Sequence, residues 1–355
     1  MKQRTEYGTA DTPAVSAENR PAASARRARI VFICAAVLLL VLAAVSVCIG
    51  SYPLTVSEVG AFLVGNRTGT LSEAVFFRLR LPRILMGILC GAVLGITGGV
   101  YQMVFESPLA SPDLTGVSSG ASLGAAAAIA LGCGGAVRVG AAFLGGLLAL
   151  GFVLLLLSAA RGANVYRCIL AGVIVSSAAD AGLMLMKSAL DREGTLSAVE
   201  FFTMGSLGGI TDRKVLYAAC AALPALLLLL CFERQASMLS LGALPSRTMG
   251  VSPAFWRIVL LALSTLAVAA VVSVCGTVGF LGLTAPHIAR LLRGRQGKGF
   301  LLLCACTGAD LLLCADLLAR SVSPGEELPL GVFTVAFALP VLSGLLFAGG
   351  GADRA

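Results

Sequence analysis

The sequence predicts an all-α, polytopic integral membrane protein with about ten transmembrane helices, and three observations lead there. Apolar runs of about 20 residues recur along the whole chain, the length an α-helix needs to cross a bilayer. Charged residues make up 12% of the chain, roughly half the share of a soluble domain, and the mean hydropathy is +0.94. Two glycine ladders, Gly87-Gly91-Gly95-Gly99 and Gly116-Gly120-Gly124, each fall on one helical face. Glycine is costly inside a water-soluble helix, whereas in lipid small residues let a neighbouring backbone approach closely. The apolar runs are continuous rather than alternating, which argues against a transmembrane β-barrel.

Residues 1–28 are polar and basic, rich in Ala, Ser, Pro and Arg, and are expected to be a disordered cytoplasmic tail. The apolar stretch that follows is too long for a cleaved signal peptide, so it reads as a retained helix. Arg26, Arg27 and Arg29 before it should hold the N-terminus in the cytoplasm. Spans are expected at 30–49, 84–105, 114–132, 136–158, 165–187, 214–232, 255–274, 277–290, 299–318 and 329–349. The second is stopped by Ser107-Pro108 and Ser111-Pro112, giving two closely packed helices joined by a short proline-ruled turn. The eighth is too short to cross straight and reads as a partial helix buried in protein. An even count returns residues 351–355 to the cytoplasm, leaving 29–350 as one transmembrane domain. The longest loop, 50–83, is too short to be a soluble domain.

The net charge of +8 fits positive-inside loops and a basic tail rather than nucleic-acid binding. Most of the eleven cysteines sit inside apolar runs as small hydrophobes, and no C-x-x-C occurs, which argues against zinc or redox chemistry. His287 is the only histidine and lacks acids or cysteines at ligand spacing; it reads as a structural residue at a helix end, and no metal site is expected. No phosphate-binding G-x-x-x-x-G-K-[ST] is present, so any ATP-driven role needs a separate subunit. Asp180 and Asp310 lie within apolar spans, where a carboxylate is expensive. Asp180 supports an alternative reading, a proton-coupled secondary carrier. No clustered nucleophile, metal or acid–base pair points to an enzyme.

Five motifs occur in order. The first is Arg80-Leu-Pro-Arg83, Gln102, Pro108-Leu-Ala110, Pro112 and Gly116-Val-Ser-Ser-Gly-Ala121. Phe202-Thr-Met-Gly205-Ser206-Leu207 and Leu241-Gly242-Ala-Leu-Pro-Ser-Arg247-Thr-Met249-Gly250 follow. The last two are Gly276 to Arg290, containing Pro286 and His287, and Ala315-Asp316-Leu-Leu-Ala-Arg320 with Glu327, Pro329 and Thr334. Together they resemble the permease family of ATP-driven importers for iron-siderophores, haem and vitamin B12. The sequence departs from the family pattern at Ser107, where Asn is usual, and at Pro245 and Ser246.

The resemblance implies a vitamin-B12-permease-like fold and a transport subunit of an ATP-binding-cassette importer, working by alternating access. It implies a homodimer or close heterodimer of permeases in the bacterial cytoplasmic membrane, two ATP-binding subunits below and an extracytoplasmic substrate-binding protein above. ATP and Mg would sit on the partner ATPase, with no cofactor in this chain and lipid around it. Cargo would be a ferric siderophore, haem or cobalamin. Leu241, Gly242, Arg247, Met249 and Gly250 would couple to the ATPase. Arg80, Arg83 and Arg320, on the outer side against the charge trend, would be exposed and meet acids of the binding protein. Gly87, Gly91, Gly95 and Gly99 would face protein. Gln102, Pro108, Pro112, Gly116, Gly120, Pro286, His287 and Arg290 are the remaining signature positions.

Overall fold

In the computed structural model, which describes residues 20–50, 52, 54–64, 70–160, 165–189, 193–293, 297–322 and 328–349, helix α1 (Arg20–Cys48) leads the chain. It begins inside the segment expected to be a tail; residues 1–19 and 350–355 lie outside the described residues. The long loop that follows holds helix α2 (Val56–Leu63), started by a reciprocal capping box between Thr55 and Glu58. Helix α3 (Leu71–Val75) runs through a π turn at Phe76–Arg80 into α4 (Leu81–Val104), so Leu71–Val104 is one 34-residue helix. Pro82 has no amide hydrogen for the preceding turn, and the wider π turn accommodates that gap.

After a 3₁₀ turn at Pro112–Thr115 come α5 (Val117–Ala130), α6 (Gly135–Ala159), α7 (Val165–Ala189) and α8 (Glu193–Met204). Then follow α9 (Asp212–Cys231), α10 (Glu233–Leu239), α11 (Ala243–Thr248) and α12 (Pro253–Cys275). The last three are α13 (Leu281–Arg293), α14 (Phe300–Val322) and α15 (Leu330–Gly349). Each of the ten apolar segments holds a helix, and no strand occurs among the described residues. Seven described helices are long and apolar enough to cross a membrane, and α5 and α13 are shorter. The short eighth segment is α13, which starts at Leu281 and is buried along most of its length, as its length required.

Helices α4, α12 and α14 form the centre, and α13 is packed against α4 and α14. Helices α5, α6 and α7 pack together on one flank, while α1 lies on the far side of α14. Helices α1 and α6 turn mostly exposed apolar surface outward, which lipid would cover.

The two glycine ladders do not face each other. Those of α4 face α14: a Cβ on Gly91 would lie 2.5 Å from the Gly308 carbonyl oxygen, and one on Gly95 would overlap the Cys304 carbonyl. Gly87 and Gly99 meet Leu313 and Leu301 of the same helix, each at 3.0 Å. Those of α5 face α6, where Gly120 approaches the Gly145 carbonyl and Gly124 the Ala141 carbonyl. The sharp turn between α4 and α5 sends each ladder to a different neighbour. Gly98, outside the ladder, meets Gly282 of α13.

At Gly95 even alanine needs the two backbones to separate. Gly95→Ala is expected to cost about 1–3 kcal/mol, seen as a lower melting temperature and lower folded yield in detergent. Gly140→Ala, where a Cβ meets open space, is expected to be neutral or stabilising by up to about 1 kcal/mol. Equal melting temperatures for both variants would remove the close approach as a source of stability.

Candidate functional site

The motifs read separately along the chain meet in space. Gln102, buried near the end of α4, accepts a hydrogen bond from Arg290 Nη2 and donates its amide to the Leu283 carbonyl at 3.2 Å. Two signature positions thus hold each other, tying α13 to α4. Pro112 lies against Gly282, where a Cβ would come within 2.7 Å of its ring. The turn between α4 and α5 keeps a side-chain cap despite the departure at Ser107, whose Oγ accepts from the Leu109 amide at 3.3 Å. Pro108 is exposed in that turn. Gly116 has φ +69°, and a Cβ there would lie 2.7 Å from the Ser176 amide nitrogen of α7, so glycine serves both conformation and space there. His287 is buried beside Pro286, and its Nδ1 has no hydrogen-bond partner among the described residues. No group of three metal-ligating side chains occurs among the described residues.

The Phe202–Leu207 motif gains its meaning from the second half of the chain. The Ser206 amide donates to the Cys275 carbonyl at 2.8 Å, and Thr277 Oγ1 donates to the Thr203 carbonyl. The Leu330 amide at the start of α15 donates to the Gly205 carbonyl at 3.0 Å. Gly205 and Gly276 both have positive φ and sit against the opposing backbone. Segments 202–207, 275–280 and 328–331 are therefore one interlocked irregular layer. Such backbone is tolerated at membrane depth only where protein or a cavity satisfies it.

A cavity of about 560 Å³ opens beside this layer, between the 109–113 turn, α5 and α7. Its wall carries the hydroxyls of Ser111, Ser119 and Thr277, and two carboxylates, Asp113 and Asp180, are its charged lining groups. Phe280 also lines it and holds φ +64°, a conformation that bulky residues avoid. Its carbonyl accepts from the Leu283 and Thr284 amides, so it caps the start of α13. Asp180 is exposed into this space, which accounts for an acid within an apolar span. Asp113 sits outside any apolar run, and nothing in its spacing signals that it joins Asp180. Asp310 is elsewhere, buried at the edge of a separate, almost wholly apolar cavity of about 400 Å³ between α1, α13 and α14.

Arg80, Arg83 and Arg320 are brought together, but they turn inward. This corrects the expectation of three exposed charges. Arg83 binds Asp316 at 2.8 Å and Arg320 binds it at 3.0 Å, with Asp316 wholly buried. Arg80 is buried too and donates to the Val47 and Tyr52 carbonyls. Arg320 adds the Ser46 hydroxyl at 2.6 Å and the Ile49 carbonyl at 3.1 Å. The unmatched carbonyls at the end of α1 attract these guanidinium groups, and so does the single carboxylate. Glu327 of the same motif lies outside the described residues.

At the opposite end, α10 and α11 form a short helical elbow between α9 and α12. Gly242 and Gly250 bracket α11 with φ +99° and +80°. Ser246 is buried and pins the elbow by donating to the Met238 and Gly242 carbonyls at 2.8 and 2.6 Å. Leu241, Leu244, Arg247 and Met249 stay exposed. Leu244, which the sequence did not single out, joins that exposed tip. Glu106, in a left-handed conformation just after α4, lies beside this elbow and binds Arg257 of α12 at 3.1 Å.

The sequence pattern of the FecCD transport family matches residues 38–348. The chain belongs to that family. This FecCD permease is 36% identical over 323 residues to the vitamin B12 import system permease protein BtuC of Escherichia coli O6:K15:H31, covering 90% of this chain and 95% of that one. The BtuC protein of Shigella boydii serotype 18 is 35% identical over 319 residues, covering 88% and 94%. Among solved structures, an inward-facing conformation of a metal-chelate type ABC transporter superposes with a TM-score of 0.81 at 29% identity. That match covers 90% of this chain and 99% of the other. The FecCD permease is thus a membrane-spanning permease subunit of an ATP-binding-cassette importer, not an enzyme. ATP hydrolysis belongs to a partner ATPase, and a second permease subunit completes the membrane unit. It is a multi-pass protein of the bacterial inner membrane.

Removing one member of the buried ion cluster leaves opposite charges stranded. Asp316→Ala is expected to destabilise the FecCD permease by about 3–5 kcal/mol, read from thermal unfolding in detergent. A melting temperature within a degree or two of the parent would show that the cluster carries no structural weight.

Proposed function

We propose that this permease lowers its N- and C-termini and the α10–α11 elbow into the cytoplasm, where the elbow seats in each of two ATP-binding subunits. The observation that carries this reading is the elbow itself: an exposed apolar and cationic tip, Leu244, Arg247 and Met249, held between two positive-φ glycines, with Leu241 exposed just before the first. ATP and Mg would be held by those subunits. An extracytoplasmic binding protein would deliver cargo to the far end, where the arginine–aspartate cluster and α2 lie. The hydroxyl-lined cavity beside Phe280 would face the substrate path formed with the second permease. Alternating access would then tilt the helices around that cavity.

The relatives transport vitamin B12 and metal chelates, and the same range of cargo fits here: cobalamin, haem or a ferric siderophore. Carboxylates on a path wall repel anions. Asp113 and Asp180 therefore favour a neutral or cationic cargo, such as cobalamin or a ferric hydroxamate, over a polyanionic ferric catecholate.

Purified alone, the chain is expected to hydrolyse no ATP, and with its cognate ATPase to form a stable complex. Valine at Gly242 or Gly250 would force a strained left-handed residue and weaken that complex about tenfold. Full uptake into vesicles lacking any ATPase would reject the importer reading for this chain.

The proton-coupled carrier reading is separated by Asp180→Asn. An importer should keep uptake within about twofold, because ATP and not a proton gradient drives it. A carrier that uses Asp180 would stop, and would respond to collapse of the pH gradient. ATP-dependent uptake that survives collapse of the gradient would decide for the importer.

A further inference from the structure

We propose that the end of the bundle bearing the start of α1 holds a specific site for the phosphate of an anionic phospholipid. Three cations from two distant parts of the sequence meet there. Arg29 of α1, Arg293 at the end of α13 and Lys298 just before α14 line one groove of about 250 Å³, and no acid among the described residues lines it. The remainder of the wall is largely apolar, with Phe32, Ile33 and Leu302 below the cations. Arg293 is aimed by its own loop, since its Nη2 donates to the Lys298 carbonyl at 2.5 Å. The nearby carboxylate, Glu233, is engaged elsewhere: it accepts from the Gly299 and Leu301 amides at 2.9 and 3.0 Å. The groove therefore keeps a positive rim over an apolar wall.

That combination matches one occupant. A free phosphate would find the charges but have no use for the apolar wall. A neutral acyl chain would find the wall but not the charges. A phospholipid with a net negative headgroup satisfies both, with phosphate at the rim and an acyl chain along α1. Helix α1 suits the role, because it is strongly apolar and only about a tenth of its central stretch is buried by protein. Ile30, Ile33, Val37 and Leu40 all stand open to lipid along its length. Basic pockets between membrane helices at this level are the sites that hold acidic headgroups. The lipid would clamp α1 to the α13–α14 junction, whose Glu233 contact adjoins the elbow. The site does not depend on which cargo is carried.

The test uses the full-length permease in nanodiscs of equal phosphatidylglycerol and phosphatidylcholine, with retained lipid counted by native mass spectrometry. The parent is expected to retain phosphatidylglycerol preferentially. Each of Arg29→Gln, Arg293→Gln and Lys298→Gln is expected to lower that preference about fivefold, and Arg29→Lys to keep it. A paired control, Arg26→Gln with Arg27→Gln, removes exposed charge from the same helix outside the groove and should change little. Equal loss in the control would reduce the effect to general surface charge and overturn the site. So would an unchanged preference in the three groove variants. Release of the retained lipid when the ATPase binds would also overturn it, by assigning these cations to the subunit interface.

Discussion

The close approach of α4 to α14 sets the rest of the structure. Between helices in a bilayer no hydrophobic force acts, so attraction depends on how near two backbones come. Gly91 against Gly308 and Gly95 against Cys304 bring them almost to main-chain contact. Two buried polar contacts of α4 lie at the ends of that seam. One end sets Arg83 beside Asp316, and the other sets Gln102 within reach of Arg290. A wider spacing would leave each of these groups facing apolar surroundings with no partner, at a cost of several kcal/mol apiece.

The buried charges then act as fasteners between particular helices rather than as general stabilisers. Asp316 joins α4 to α14 and, through Arg320, reaches the end of α1. Glu106 and Arg257 join the end of α4 to the start of α12. Gln102 and Arg290 join α4 to α13. The three helices packed most closely on α4 are thus each keyed to it by a different polar pair. Mispairing two helices would strand a charge, so these contacts select one arrangement among helices whose apolar faces are otherwise similar. Asp310 has no such partner on its Oδ1, and it lies beside an apolar cavity rather than in the seam.

Much of this was legible in the sequence, and the reason is the bilayer. Length and hydropathy found a helix in each of the ten apolar segments because lipid leaves so few alternatives to a continuous helix. The glycine ladder announced its close contact through period alone, though not the identity of the opposing helix. A helix face shows that it needs a neighbour without showing which one. The arginines were misplaced for a related reason. Positional rules put Arg80, Arg83 and Arg320 at the outer end, which says nothing of whether a carboxylate and helix-end carbonyls wait inside. Asp113 and Leu244 were invisible because each matters through its surroundings, a cavity wall in one case and an exposed elbow tip in the other.

The same fasteners join the two ends of the molecule. Glu106 lies beside Gly242 of the elbow and is bonded to Arg257, while the turn that follows it leads within a few residues to the cavity wall at Ser111 and Asp113. A push on the elbow therefore meets the end of α4 and the start of α12 at once. Both helices are rigid and mostly buried, so neither can absorb the displacement locally. The irregular layer at 202–207 and 275–280 is held by main-chain hydrogen bonds and positive-φ glycines rather than by long side chains. Backbone dihedrals there can change without breaking a packed helix, which is where a hinge belongs. Under the function proposed above, rigid helices would carry the motion, the irregular layer would accommodate it, and the surface that moves would be the cavity wall next to Thr277 and Phe280.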